Sequence, residues 1–293
     1  MALGIRALLI LLVLMAVWFL WEWVVTEKRP PGAISPWDVI IGFVTNFFDA
    51  LGIGNFASTT AAFRLLERMP DEEIPGTLNA GHTLPVIAEG LIFIAAVPVD
   101  FTTLLGMLVA SAVGAWFGAG IVSRLPRRAV QLGMGVALLV AALLFLAANL
   151  HWMPSGGEAL GLSGGALVFA ICVNCILGAL MTLGVGLYAP CLILVSLLGM
   201  SPLAAFPIMM GSCALLMPVA GVRFMKAGRY NLAASIGLSI GGVPGVLIAA
   251  YIVKSLPLVW LRWLVVAVVA YTAVAMLGSA ARSKASAWAP SES

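Results

Sequence analysis

The sequence predicts an all-α polytopic membrane protein. The expected plan is one leading span plus two inverted repeats, each a broken or re-entrant helix pair followed by three transmembrane helices. Three observations carry this. Hydrophobic residues make up 62% of the 293 residues and charged residues 9%, with a mean hydropathy of +1.12. A chain solvated by water needs far more surface charge than that. Apolar runs of about 20 residues, enough to cross a bilayer, recur along the chain. Two distinct strings also recur in the same order at a nearly constant offset. The net charge of +3 is small and scattered, which argues against a nucleic-acid partner.

Taken in order, Arg6 and the apolar run Ala7 to Leu20 resemble a signal peptide, but no small-x-small cleavage site follows. The run ends in Trp21, Glu22 and Trp23, an aromatic interface anchor, and reads as a retained first span. Full spans are expected near 76–98, 101–124, 129–150, 203–222, 231–253 and 257–280. The stretches 37–67 and 161–199 are each too long for one crossing. Each has a glycine-rich break in its middle, Leu51-Gly-Ile-Gly-Asn55 and Leu183-Gly-Val-Gly-Leu187. Each therefore reads as two short helices meeting inside the membrane.

The breaks expose the repeat. LGIGNFAS at 51–58 aligns with LGVGLYAP at 183–190, and GMLVASAVGAWFGAGIVSRLP at 106–126 aligns with GLSIGGVPGVLIAAYIVKSLP at 237–257. The chain then divides into a leading span and loop (1–35), a first repeat (36–150), and a second repeat with a short tail (151–293). Basic residues orient it. Lys28/Arg29, Arg64/Arg68, Arg124/Arg127/Arg128, Arg223/Lys226/Arg229 and Arg282/Lys284 mark cytoplasmic ends. The loops 99–101, 151–160 and 199–202 carry no Lys or Arg and fall outside. Loop 254–262 also falls outside by count, against its own Lys254 and Arg262. On this scheme equivalent segments run in opposite directions, the inverted-repeat design of secondary transporters.

Broken helices place backbone ends inside the membrane, which is tolerated only where they are buried in protein or line a polar cavity. A helix N-terminus attracts an anion without any lysine. Gly52, Gly54, Gly184 and Gly186 permit the turns and a close backbone approach; the bland alternative is that they only ease helix packing. Asn46, Asn55, Ser58, Thr59, Asn174 and Tyr188 cluster beside the breaks in sequence, and Asn79, His82 and Thr83 enter the next span. These are the candidate solute-binding residues; for the Asn, Ser and Thr among them, interhelical hydrogen bonding is the alternative.

Ionisable groups within spans cost about 2.5–3.5 kcal/mol by insertion scales and are functional hypotheses by default. Asp49 precedes the first break and Glu89 sits near the middle of its span. His82 and Glu89 are two helical turns apart, so they share a face and form a candidate proton path with Asp49, although Pro85 between them can bend the helix. A structural ion pair, with Arg64 approaching from the end of the broken pair, is the alternative for the acids. Cys172-x-x-Cys175 lacks a thioredoxin-like setting. There is no phosphate-binding loop of the Gly-x-x-x-x-Gly-Lys-Ser/Thr type. No catalytic residue, metal site or cofactor is expected.

The strings NFFDALGIGNFASTTAAFRLLE at 46–67 and IPGTLNAGHTLPVIAEGLIFI at 74–94 resemble the sulfite exporter TauE/SafE family of membrane permeases. The second half resembles it mainly through its glycine-rich break. The resemblance implies a two-repeat membrane fold and a location in the cell membrane, the inner membrane in bacteria. It also implies movement of a small sulfur-containing or organic anion such as sulfite, sulfoacetate, a sulfonate or thiosulfate. The expected function is secondary transport by alternating access, with the lipid bilayer and a small anionic solute as partners and homo-oligomerisation left open. The rivals are a passive anion channel and, from another class, an intramembrane thiol oxidoreductase using Cys172 and Cys175.

Overall fold

A computed structural model describes residues 2–27, 32–152, 156–184 and 186–252, with isolated helical positions between 270 and 281. The span expected at 257–280 lies almost wholly outside the described residues. So do Lys28, Arg29, Lys254, Arg262, Arg282 and Lys284.

Eleven helices are described: α1 (Ala2–Thr26), α2 (Pro36–Asp49), α3 (Phe56–Leu65), α4 (Ile74–Gly81), α5 (Thr83–Ala96), α6 (Phe101–Val122), α7 (Arg127–Asn149), α8 (Gly164–Met181), α9 (Tyr188–Leu197), α10 (Pro202–Lys226) and α11 (Leu232–Ile252). Six of them are long and apolar enough to cross a membrane. Local sequence sets the ends of several. Ser35 accepts from the Trp37 amide and Pro36 opens α2, while Asp100 accepts from the Thr103 amide at the start of α6. The large apolar side chains exposed on α1, α6 and α8, such as Val17, Phe117 and Phe169, form a surface suited to lipid.

At 1.5 Å per residue, α2 and α3 are roughly 21 and 15 Å long, and neither spans a hydrocarbon core of about 30 Å. The pair turns back on itself. Arg68, just past α3, binds Asp38 in the first turn of α2 with contacts of 3.1 and 3.0 Å. Arg64 binds the buried Asp71, which also takes a hydrogen bond from Gln131 and lies 3.7 Å from Arg127. The pair therefore opens beside the α6–α7 turn.

The second pair, α8–α9, opens at the other end. The segment before α8 bonds the segment after α9, Gly157 N–H to Met200 O at 3.0 Å and Ser201 N–H to Ala159 O at 2.8 Å. The Asp100 amide bonds Leu160 O, which ties this end to the α5–α6 turn. Helix α6, about 33 Å long, separates the two ends.

Close packing relates the halves. Helix α2 lies along α11, and α8 lies along α6. At Gly241 and Gly245 any side chain would collide with the Val39 and Phe43 carbonyls of α2. At Gly114 and Gly118 it would collide with the Cys175 and Ala179 carbonyls of α8. Small residues four apart let helix backbones approach this closely in lipid. Helix α10 runs through the middle, packed against α1, α4, α5, α6 and α9, and is apolar nearly all round.

One expected element is corrected. The span at 76–98 is not continuous: α4 and α5 meet at His82 with a 45° bend. Pro85 has no N–H to give the Gly81 carbonyl four residues earlier. That carbonyl accepts instead from the Ser239 hydroxyl of α11 at 2.7 Å.

Since the two pairs open at opposite ends, Arg128→Cys and Glu158→Cys, each in a background with the four native cysteines changed to alanine, should react with an impermeant maleimide from opposite faces of the membrane. Labelling of both from one face would contradict the arrangement.

Candidate functional site at the two helix breaks

Both breaks turn on glycine. Gly52, Gly54 and Gly184 have φ of +86°, +89° and +99°, a region that costs other residues about 1–2 kcal/mol. Amides before each turn are satisfied locally: Gly52 N–H bonds Asp49 O at 2.8 Å and Gly184 N–H bonds Met181 O at 2.9 Å. The helices that follow are different. Neither α3 nor α9 has a side-chain cap. Their first-turn amides have no intrahelical partner, as at any helix N-terminus.

A cavity of about 30 Å³ lies where these two starts meet. That exceeds the space one water centre needs, so it can hold water or one compact ion. Gly54, Asn55, Phe56 and Ala57 line it from the first break, and Gly186, Leu187, Tyr188 and Ala189 from the second. Asp49, Met181 and Cys213 line it too, and among the described residues no Lys, Arg or His does.

Behind the cavity sits a saturated polar cluster. Asn46 Nδ2 donates to Gly42 O at 2.7 Å and lies 2.9 Å from His82 Nδ1, while Asn46 Oδ1 accepts from Asn55 Nδ2 at 3.0 Å. His82 Nε2 lies 3.0 Å from Thr59 Oγ1. A neutral imidazole with its proton on Nε2 accepts from Asn46 Nδ2 and donates to Thr59, and its 3.2 Å approach to Asn46 Oδ1 is then not a hydrogen bond. This cluster explains why Asn55 does not cap α3: its side chain is turned toward Asn46.

A second cluster faces the cavity. The Tyr188 hydroxyl of α9 donates to Glu89 Oε2 of α5 at 2.8 Å, a bond between the two halves of the chain. Asp49 adjoins Glu89 and the Asn55 backbone amide. Asp49 is 1% exposed and Glu89 is fully buried, yet both Asp49 oxygens and Glu89 Oε1 complete no hydrogen bond. His82 and Glu89 therefore belong to different clusters, separated by the bend. Arg64 approaches neither acid, being held by Asp71.

Of the residues singled out in the sequence, Asp49, Gly54, Asn55, Gly186 and Tyr188 line the cavity, with Glu89 reached through Tyr188 and Asn46, Thr59 and His82 behind Asn55. Others are engaged elsewhere. Ser58 donates to Gly54 O and Asn55 O, Thr83 to Asn79 O, Asn79 to Pro75 O, and Asn174 to Met107 O and Ser212 Oγ. Gly52 faces the Phe206 ring and Gly184 faces Met134. Phe56 and Met181 were not among the candidates. The repeat alignment carried a signal for both, since it pairs Phe56 with Tyr188 and Met181 with Asp49. Cys172 is exposed among the apolar residues Val168, Phe169 and Ile176 of α8, and Cys175 backs onto Gly114 of α6.

Replacing His82 by Ala should strand Asn46 and Thr59, each left wanting a hydrogen bond worth about 1–3 kcal/mol when buried. The expected result is a drop of several degrees in the unfolding midpoint in detergent. An unchanged midpoint would show that the cluster contributes no stability.

Residues 4–145 match the family described as Sulfite exporter TauE/SafE. No curated protein and no solved structure matches the chain. Together with the six apolar helices, which mark a multi-pass cell-membrane protein, the match over residues 4–145 supports the resemblance to the sulfite exporter TauE/SafE family carried by the strings at 46–67 and 74–94.

Proposed function

We propose that this protein is a secondary transporter of a small anion, of the sulfur-containing or organic class that includes sulfite, thiosulfate, sulfonates and sulfoacetate. The observation that carries the reading is the meeting of two uncapped helix starts, α3 and α9, at one cavity. A helix N-terminus is worth up to ~2 kcal/mol to a partly buried anion. Two give up to ~4 kcal/mol, about a thousandfold in affinity. The family match supports transport of sulfur anions in general. Within the candidate set, the residues lining the cavity, Gly54, Asn55, Gly186 and Tyr188, make the solute site, and Asn46, Thr59 and His82 hold its floor. The remaining candidates, Gly52, Ser58, Asn79, Thr83, Asn174 and Gly184, support the breaks and the adjoining helices.

Alternating access follows from the same arrangement. The two broken pairs open at opposite ends, and α2 on α11 mirrors α8 on α6. Both features support reading 36–150 and 151–293 as inverted repeats that rock about a shared site, with 1–35 as a leading span.

Gly186 offers a clean test. An added Cβ there meets nothing within 4 Å, and its backbone does not need the left-handed region that Gly54 occupies. Gly186→Leu should fold, fill the cavity and weaken anion binding at least about tenfold, the loss of roughly 1.4 kcal/mol. Thermal-shift titration of purified protein with sulfite, thiosulfate, sulfoacetate, taurine and simple carboxylates measures it. Stabilisation of the parent by none of these, or an unaltered response in Gly186→Leu, would defeat the proposal.

A further inference from the structure

The acids at the cavity pose a problem for any anion site. Asp49 presents two unpartnered oxygens to the same space as the α3 start. Its carboxyl lies beside the Asn55 amide, a donor of that start. With no other anion present, Asp49 is what the helix end attracts. Glu89 adjoins it and keeps one oxygen unpartnered. Around the pair, the titratable groups on the packed elements are Tyr188 of α9 and Cys213 of α10, with Cys191 of α9 beside Cys213. His82 of the α4–α5 break is turned to Asn46 and Thr59. Among the described residues no cation reaches the pair.

Building on the anion-transport reading above, we propose that Asp49 is the resident anion of the α3 start, and that the transported anion replaces its charge as the Asp49–Glu89 pair binds a proton. The step forms one O–H bond on a carboxyl oxygen and breaks none in the solute. The proton comes from the water on the side to which the site is open and leaves with the anion on the other side. A protonated carboxyl then donates a hydrogen bond to the oxyanion, where a carboxylate would repel it. Tyr188 holds Glu89 Oε2, which leaves Glu89 Oε1 and both Asp49 oxygens free, and Asp49 is the member of the pair that lines the cavity. The transporter is thus a proton–anion symporter, and its solute is an oxyanion able to accept that hydrogen bond.

Proteoliposomes test this with radiolabelled sulfite, thiosulfate and sulfoacetate in parallel, protein-free vesicles being subtracted. With an acidic exterior the parent should accumulate anion about tenfold per pH unit for one proton per monoanion. A pH dye in the lumen should report acidification in step with uptake. Glu89→Gln and Asp49→Asn should lose accumulation driven by the pH gradient. Exchange by the parent with no response to the pH gradient, or uptake without acidification of the lumen, overturns the symport proposal and leaves anion transport standing. Accumulation by both variants at the parental level also overturns it. Neither exchange nor uptake of any of the three anions by the parent defeats the transport reading itself. The dye measurement on the parent decides the matter even if a variant fails to fold.

Discussion

Lipid offers no water to a backbone N–H or C=O, so a helix can stop inside a membrane only where protein or a cavity takes over its ends. This chain's helices are interrupted at 50–55 and again between α8 and α9, and bend at His82. Each interruption is handled differently. The carbonyl freed by Pro85 receives the Ser239 hydroxyl. The C-terminal ends of α2 and α8 close on themselves through glycine turns. The starts of α3 and α9 receive no cap, and that deficit is what a solute can fill.

Holding such breaks in place requires helices to approach very closely on either side. The glycines on α6 and α11 put their backbones against α8 and α2, and hydroxyls on the same two helices bond α10 and α4. Ser239 reaches Gly81 O from α11, and Ser111 of α6 reaches Ser212 O at 3.4 Å. Gly81 and Ser212 are 131 residues apart, the offset of the repeat. Helix α11 lies along α2 and α6 lies along α8, so each half lends a helix to the broken pair of the other. The long, apolar and largely buried α10 fills the space between.

Much of this was legible in the sequence because it rests on local chemistry. Spans show as apolar runs, breaks as glycine pairs, and the loops that come together at one end as segments free of Lys and Arg. The bend at His82 was not resolved, since the apolar run continues across it and Pro85 alone does not say whether a helix kinks or stops. The pairing of His82 with Glu89 needs a straight helix, a condition that Pro85 between them already put in question. Once the axis turns by 45°, partners on other elements decide: Asn46 and Thr59 for His82, Tyr188 and Asp49 for Glu89. Contacts between residues 99 apart, such as Tyr188 with Glu89, leave no trace in spacing. Asp71 was equally hidden, as nothing in a linear reading distinguishes a buried ion-pair hub from a solvated loop acid.

The aligned segments of the two halves differ in chemistry. The alignment sets Asp49 against Met181, Asn55 against Leu187, and Phe56 against Tyr188. The first half thus supplies the acid and the amide, while the second supplies the hydroxyl that reaches across to Glu89. That asymmetry carries an energetic consequence. An anion held ~4 Å from a charged carboxylate is repelled by about 4 kcal/mol at an effective dielectric of 20, as much as two helix starts can offer. A symmetric pair of helix ends would bind an anion in any ionisation state of its surroundings. Placing a carboxyl on one side only makes occupancy conditional on neutralising that charge, and it does so without adding a cation that would trap the solute. On the proposed reading, the two broken pairs supply the two faces of access, and the differences between them at these three positions supply the condition on passage.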